Sequence, residues 1–256
     1  MLHDFTREDI DKYLRLLGKE YRKIAGKSMR AEIVLIGGSA VITNYHFRFT
    51  TTDIDALIEK GSLLQEAIRR VANENDLPVD WMNSDFMYTS SYSDQLRRYS
   101  KYYKTFYNVL EVRTISGEYL VAMKLKSSRY YKHDVSDVVG IFRDQIETGA
   151  PLSFQMIMKA YENLYGSIDD LDQDTLRQVQ KYSNMNDEEL DAEYQKNSDA
   201  EQSTASELKM LDQQYPDAVN AGSVDKLSKE LFKKLVSSDD HDSENDGGNL
   251  PGHEKR

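Results

Sequence analysis

A short apolar run, Ala31 to Ile36 (AEIVLI), stops at Gly37-Gly38-Ser39 and returns at Asp53 to Ile58 (DIDALI). The first run is rich in β-branched residues and too short for a buried helix, so it reads as a strand. Glycines let the backbone turn sharply at its end. Ser39 to His46 then reads as a short helix, and Asp53 to Ile58 as a second strand. Strand, glycine turn, helix, loop and strand in that order call for an α/β layer with a sheet at its centre.

The rest of the chain extends this plan. Thr6 to Ala25 is an amphipathic helix by its spacing of Ile10, Tyr13, Leu14, Leu17, Tyr21 and Ile24, with Thr6 placed to cap it. Ser62 to Asn75 returns to helix, and Tyr107 to Ile115 (YNVLEVRTI) is a third strand. After Gly117 the texture becomes helical: Glu118 to Tyr131, Asp134 to Thr148 and Ser153 to Leu164. The expected fold is therefore α/β (α+β), with an α/β domain over 1–116 and a helical domain over 117–183. Residues 184–256 read as an acidic, mostly disordered tail, since Asp187 to Ser206 and Ser237 to Asp246 are acidic and poor in apolar residues. Val224, Leu227, Leu231 and Leu235 mark one short amphipathic helix within it.

The net charge of −11 is unevenly spread. Residues 1–150 hold 22 Lys and Arg against 21 Asp and Glu, whereas residues 151–256 hold 11 against 23. The acidity belongs to the C-terminal part and does not stop the N-terminal part from meeting phosphate. There is no cysteine, so disulfides and thiolate metal sites are excluded and a reducing cytoplasm is the expected location. No stretch approaches the ~18 consecutive apolar residues of a membrane-spanning helix.

Asp53 and Asp55 pose the chemical question. On a strand, residues two apart share a face, which puts both carboxylates together, ~6.6 Å apart at Cα, with Ile54 pointing into the core. Two such carboxylates repel, and a Mg²⁺ ion relieves the conflict by taking hard oxygen ligands from them and from substrate phosphates. The bland alternative, an exposed acidic pair, sits poorly with the apolar Ile54, Ala56, Leu57 and Ile58 around them. Gly37-Gly38-Ser39 opens a helix, whose first N–H groups form a phosphate seat, and the Ser39 hydroxyl adds a donor. The same turn also serves as a plain tight connection. The other phosphate motifs, G-x-x-x-x-G-K-[ST] and G-x-G-x-x-G, are missing.

In this arrangement the sequence resembles the polymerase-β-type nucleotidyltransferases, whose signature is a Gly-Gly or Gly-Ser turn followed by Asp-x-Asp or Asp-x-Glu. Within them it is similar to the bacterial branch that includes the abortive-infection (AbiEii-like) toxins. Trp81-Met82-Asn83 supports the likeness, as does Glu118 to Leu125 continuing through Arg129 and Lys132 to Asp134 and Asp137. It covers about residues 1–165. The resemblance implies a small mixed sheet with flanking helices, Mg²⁺ and a nucleoside triphosphate. It implies transfer of a nucleotidyl group to a hydroxyl acceptor on RNA (tRNA) or protein, as the toxin of a toxin–antitoxin or phage-defence system with an antitoxin partner. By position, Gly37, Gly38 and Ser39 would hold the triphosphate, Asp53 and Asp55 the metal, and Lys124 and Asp134 would be a further catalytic pair.

Outside the signature the residues leave more than one role open. Lys124 lies on an apolar helical stripe with Leu120 and Met123, where a lysine either serves a site or snorkels to water. Asp134 fits both a third site carboxylate and a helix cap, with Asp137 beside it and Glu111 on the third strand as a rival. Arg48 before Asp53 is a candidate phosphate contact or an exposed cation. Tyr92 to Tyr107 (YSDQLRRYSKYYKTFY) interleaves cations and rings, which suits an RNA surface. It also suits a helix with its tyrosines packed inward. Against the enzyme stand two other readings: a catalytically silent nucleotide- or partner-binding module of the same fold, and an antitoxin-like or scaffold role centred on the helical half and tail.

Overall fold

The computed structural model describes residues 4–58, 61–216, 218–220 and 222–242. In chain order the elements are α1 (Arg7–Ala25), β1 (Ala31–Leu35), α2 (Gly37–Asn44), β2 (Ile54–Ile58), α3 (Ser62–Glu74), β3 (Met82–Asn83), β4 (Ser100–Phe106) and β5 (Leu110–Ile115). The helices α4 (Gly117–Ser127), α5 (Asp134–Glu147), α6 (Phe154–Tyr165), α7 (Gln173–Tyr182), α8 (Asp187–Gln214) and α9 (Val224–Asp242) follow. The mixed α/β fold expected from the sequence is present. Its five-stranded sheet has the order β3-β2-β1-β5-β4. β1 pairs antiparallel with β2 and parallel with β5, so the sheet is mixed. Among the described residues no helix is long and apolar enough to cross a membrane.

The chain forms two compact units. One takes in the sheet, its helices and residues Asp137–Asp191; the other takes in Ser128–Ser136 and the chain from Ala192 on. The change of texture at residue 117 falls inside the first unit.

Local chemistry sets the elements of the first unit. Thr6 caps α1 in a reciprocal box with Asp9, each side chain accepting from the other's backbone N–H. The apolar face of α1 is buried, and Tyr13 meets Phe5 and Trp81 edge-on. β1 is buried at Ile33, Val34 and Leu35, as a strand covered on both faces must be.

The stretch Tyr92 to Tyr107 is not helical. It contains a short 3-10 turn, Asp94–Arg97, and then β4, so the helix with inward tyrosines does not form. The third strand starts at Leu110 rather than Tyr107, because Tyr107 and Asn108 take positive φ values of 52° and 61° in the β4–β5 turn.

The acidic stretch from Asp187, expected to be disordered, is helical as α8, which belongs to the second unit from Ala192 on. Its buried side Asn197, Ala200, Glu201, Thr204 and Leu208 recurs at helical spacing, but most of these residues are polar. Hydropathy therefore gave no stripe to read. Glu201 is buried and its carboxylate accepts from the Val135 and Ser136 backbone N–H groups at 2.7 and 3.4 Å and from the Ser136 hydroxyl. Tyr130 packs on Phe232, the rings 5.1 Å apart. The amphipathic helix expected around Val224 is α9. Beyond Asp242 the rest of Ser237 to Asp246 lies outside the described residues.

Candidate active site

Four hydrogen bonds, two from backbone N–H groups and two from the Ser39 hydroxyl, fix where Asp55 stands. The Ile36 N–H donates to the Asp55 carbonyl at 3.0 Å. The Ser39 hydroxyl lies 2.9 Å from that carbonyl and 2.8 Å from that of Ile36. On the far side, the Ile54 N–H donates to the Trp81 carbonyl at 2.9 Å, and Asp55 stands opposite Asn83 in register. The Ser39 hydroxyl, expected to face a ligand, therefore staples the elbow to β2, and Ser39 is fully buried.

The elbow leaves no room for side chains. Gly37 has φ +54°, and a Cβ there would lie 3.1 Å from Asp55 Oδ2. The conformation and the space each favour glycine. A Cβ on Gly38 would lie 2.7 Å from Thr51 Oγ1 and 3.1 Å from Arg48 Nη2. The Asp55 carboxylate thus lies against the first glycine and the Arg48 guanidinium against the second. Among the described residues no side chain caps the first turn of α2.

Ile54 is buried while Asp53 and Asp55 are half-buried, and alternation on β2 sends Asp55 away from the core. β2 begins at Ile54, which leaves Asp53 in a bend at its mouth. Just before it, Thr51 and Phe5 exchange backbone bonds at 2.7 and 3.0 Å and pin the approach.

A buried ion cluster adjoins the elbow. Arg48 Nη1 donates to Asp137 Oδ2 at 2.8 Å, and its Nε donates to the Thr50 carbonyl at 3.1 Å. The Lys124 ammonium meets the same Asp137 oxygen at 2.7 Å. The Asp137 and Lys124 side chains are only 2% and 8% exposed. Lys124 on the apolar stripe of α4 is therefore paired inside the protein rather than snorkelling. α5 brings Asp137 here because the Phe47 ring lies over Gly140 one turn on, where a Cβ would meet it at 2.6 Å. His46 in the same loop is held at its ring by Arg7 at 3.3 Å and by its N–H to Asp144 at 3.4 Å.

Asp134 opens α5 within the second unit. Its carboxylate accepts from the Arg129 N–H at 3.1 Å and from Arg129 Nε at 3.0 Å. Asp134 thus belongs to the second unit, whereas Asp137 belongs to the first. Asp137 was legible in the sequence as part of Asp-x-x-Asp, but its contact with Lys124 and Arg48 was not.

Glu111 stands elsewhere. Val34 pairs with Leu57 on one side and Arg113 on the other. Asp55 lies two residues from that row towards the elbow, and Glu111 two residues away from it, a separation of roughly 13 Å along the strands. Glu111 bonds Arg113 at 2.9 Å instead. The cations of Tyr92 to Tyr107 are also largely engaged: Arg97 with Glu32, and Lys104 with Asp11 at 2.9 Å. Among the described residues no three acids or histidines form a metal cage.

The elbow, the Asp-x-Asp strand and the lysine helix all fall within residues 12–190, which match a family model described as a nucleotidyltransferase of unknown function, DUF6036. The chain belongs to that family. No curated protein and no solved structure matches it. In this nucleotidyltransferase-family chain the matched segment ends one residue before the first unit does, at Asp191. α9 and most of α8 lie beyond it.

Proposed function

We propose that the protein is a Mg²⁺-dependent nucleotidyltransferase that moves a nucleotidyl group from a nucleoside triphosphate to a hydroxyl of RNA, such as tRNA, or of protein. One observation carries the reading: the Asp55 carboxylate lies against a glycine elbow that has no room for a Cβ and opens a helix. Acid and phosphate seat are thereby adjacent.

The donor set suits Mg²⁺. Asp53 and Asp55 offer hard oxygens from half-buried positions, and this ion binds through one or two carboxylates plus substrate phosphates. Bound there, it would neutralise charge on the phosphates and so favour attack at phosphorus.

The chain's own groups do the rest. The N–H groups of Gly37, Gly38 and Ser39 at the start of α2 receive phosphate oxygens. Arg48, lying over Gly38, adds charge on the triphosphate. Lys124, steadied by Asp137, does the same from α4, and Asp134 is kept as the further catalytic carboxylate that the resemblance implies. The acceptor oxygen bonds to the α-phosphorus as the bond to the bridging oxygen breaks. Pyrophosphate leaves with that electron pair, and the hydroxyl proton is released. Alignment and charge neutralisation carry such a step.

The test is direct. Purified protein is incubated with each labelled nucleoside triphosphate, Mg²⁺ and total RNA or protein extract. We expect label in one fraction, falling by more than ~100-fold in Asp53→Ala and Asp55→Ala variants that still fold. Triphosphate binding with no labelled product under any acceptor makes the chain a binding module and sinks the enzyme. The resemblance to abortive-infection toxins adds a toxin role with an antitoxin partner. Induced expression that slows growth, with Asp53→Ala harmless, checks that part.

A further inference from the structure

Phe49 stands out against every other phenylalanine in the described chain. Phe5, Phe47, Phe86, Phe106, Phe142 and Phe232 are buried and Phe154 is half-buried, whereas Phe49 is 78% exposed. A single exposed apolar side chain is ordinary on a surface. Three facts about its surroundings set this one apart.

First, the loop is held on both sides. Phe47 is buried against Gly140 and Tyr45, and Arg48 is bonded to the Thr50 carbonyl and to Asp137. Thr51 is buried and exchanges two backbone bonds with Phe5. Second, the loop around Phe49 reaches the elbow: Arg48 and Thr51 are the two side chains that a Cβ on Gly38 would meet. Third, the ring is purely apolar. It offers a π-face and no hydrogen bond, unlike the exposed tyrosines Tyr88 and Tyr102.

A phenyl ring held in water on the loop whose Arg48 and Thr51 meet the elbow can do one thing that its neighbours cannot, which is to cover the flat face of an aromatic group. We propose that Phe49 is the stacking platform for the base of the nucleotide whose triphosphate lies on the Gly37-Gly38 elbow. Stacking accepts any base, so Phe49 adds affinity for nucleotides over bare polyphosphate and favours the larger purines. This rests on the phosphate reading of the elbow and adds to it the position of the base.

The test separates the two. Binding is measured by calorimetry, with Mg²⁺, for ATP, GTP, CTP and UTP and for inorganic tripolyphosphate. The proteins are wild type, Phe49→Ala and Phe49→Trp. We expect Phe49→Ala to weaken the nucleotides roughly 5- to 100-fold, as loss of base stacking does, and to leave tripolyphosphate within about twofold. We expect Phe49→Trp to keep nucleotide affinity. Its indole, read against the single buried Trp81, is quenched by nucleotides and not by tripolyphosphate. The melting temperature of Phe49→Ala stays at the wild-type value, since the ring packs on nothing it would leave empty.

Unchanged nucleotide affinity in Phe49→Ala overturns the stacking role, as does an equal loss for both kinds of probe. Wild-type protein that binds neither probe overturns the phosphate seat and the stacking with it, and shows this without any variant. Loss of acceptor transfer alone, with nucleotide binding intact, would assign Phe49 to the acceptor and refute the base-stacking role.

Discussion

Two clusters in the first unit use the same ingredients and do different things. In one, Arg48 and Lys124 converge on Asp137. In the other, Lys104 and Tyr103 converge on Asp11, at 2.9 and 2.8 Å. The Asp137 and Lys124 side chains are 2% and 8% exposed, against 31% and 43% for Asp11 and Lys104. The first cluster lies over the second glycine of a helix-opening elbow; the second ties α1 to the edge strand β4. Solvent decides the energetic contrast. An exposed ion pair is worth little, because water screens it and both side chains lose freedom. A buried carboxylate that holds two cations leaves strong uncompensated charge if it is removed. The lesson is that a count of ion pairs says nothing until burial and neighbours are added.

Removing Asp137 tests the contrast hardest. Asp137→Ala strands Arg48 and Lys124 in the protein, and we expect a loss of ~3–5 kcal/mol in urea unfolding. Asp137→Asn should fall between that variant and wild type. A loss under 1 kcal/mol for Asp137→Ala would erase the difference between the clusters.

The elbow comes next. Gly38→Ala places a methyl 2.7 Å from the Thr51 hydroxyl oxygen and 3.1 Å from Arg48, so the hydroxyl must shift and the guanidinium give way slightly. We expect a cost of ~1–3 kcal/mol from overpacking, together with weaker tripolyphosphate binding. Gly61→Ala, which meets nothing within 4 Å, is the control and should leave both unchanged. Equal behaviour of the two variants would show that the elbow is not a tight site.

The smallest effect belongs to Asp11. Asp11→Asn should cost about 1 kcal/mol or less. Its pH signature is more informative. Burial raises the Asp11 carboxyl, but the bonds from Lys104 and Tyr103 outweigh it and hold it below its ordinary 3.8. Burial and the Asp11 carboxylate push Tyr103 up to about 12 from 10.0. A lowered acid stabilises above its unfolded value and loses that as pH falls through the folded one. A raised phenol stabilises below pH 10 and loses that as pH rises towards about 12. Stability contributed by this staple should therefore be full at neutral pH and fade at both ends. Thermal melts of wild type and Asp11→Asn that differ equally at pH 3, 7 and 12 would contradict it.

The same contrast explains what was legible. The elbow, β2 from Ile54 on and α1 were readable because each is local: glycine at a turn, alternation on a strand, a cap followed by a helical stripe; only Asp53, expected on that strand, lies in a bend before it. The strand in Tyr92 to Tyr107 was not, since its alternation is broken by a register shift between Tyr102 and Lys104 and its tyrosines and cations fit a helix equally well. α8 was hidden because polar residues line its buried side.

From the sequence alone came an α/β plan with a glycine elbow ahead of two acids, because turn, strand and helix preferences act over a few residues. Only the tertiary structure could choose Asp137 as the oxygen shared by Arg48 and Lys124, remove Glu111 from the elbow, and turn Ser39 inward. Those outcomes depend on strand register and helix packing between residues up to 89 positions apart, and no local pattern encodes them.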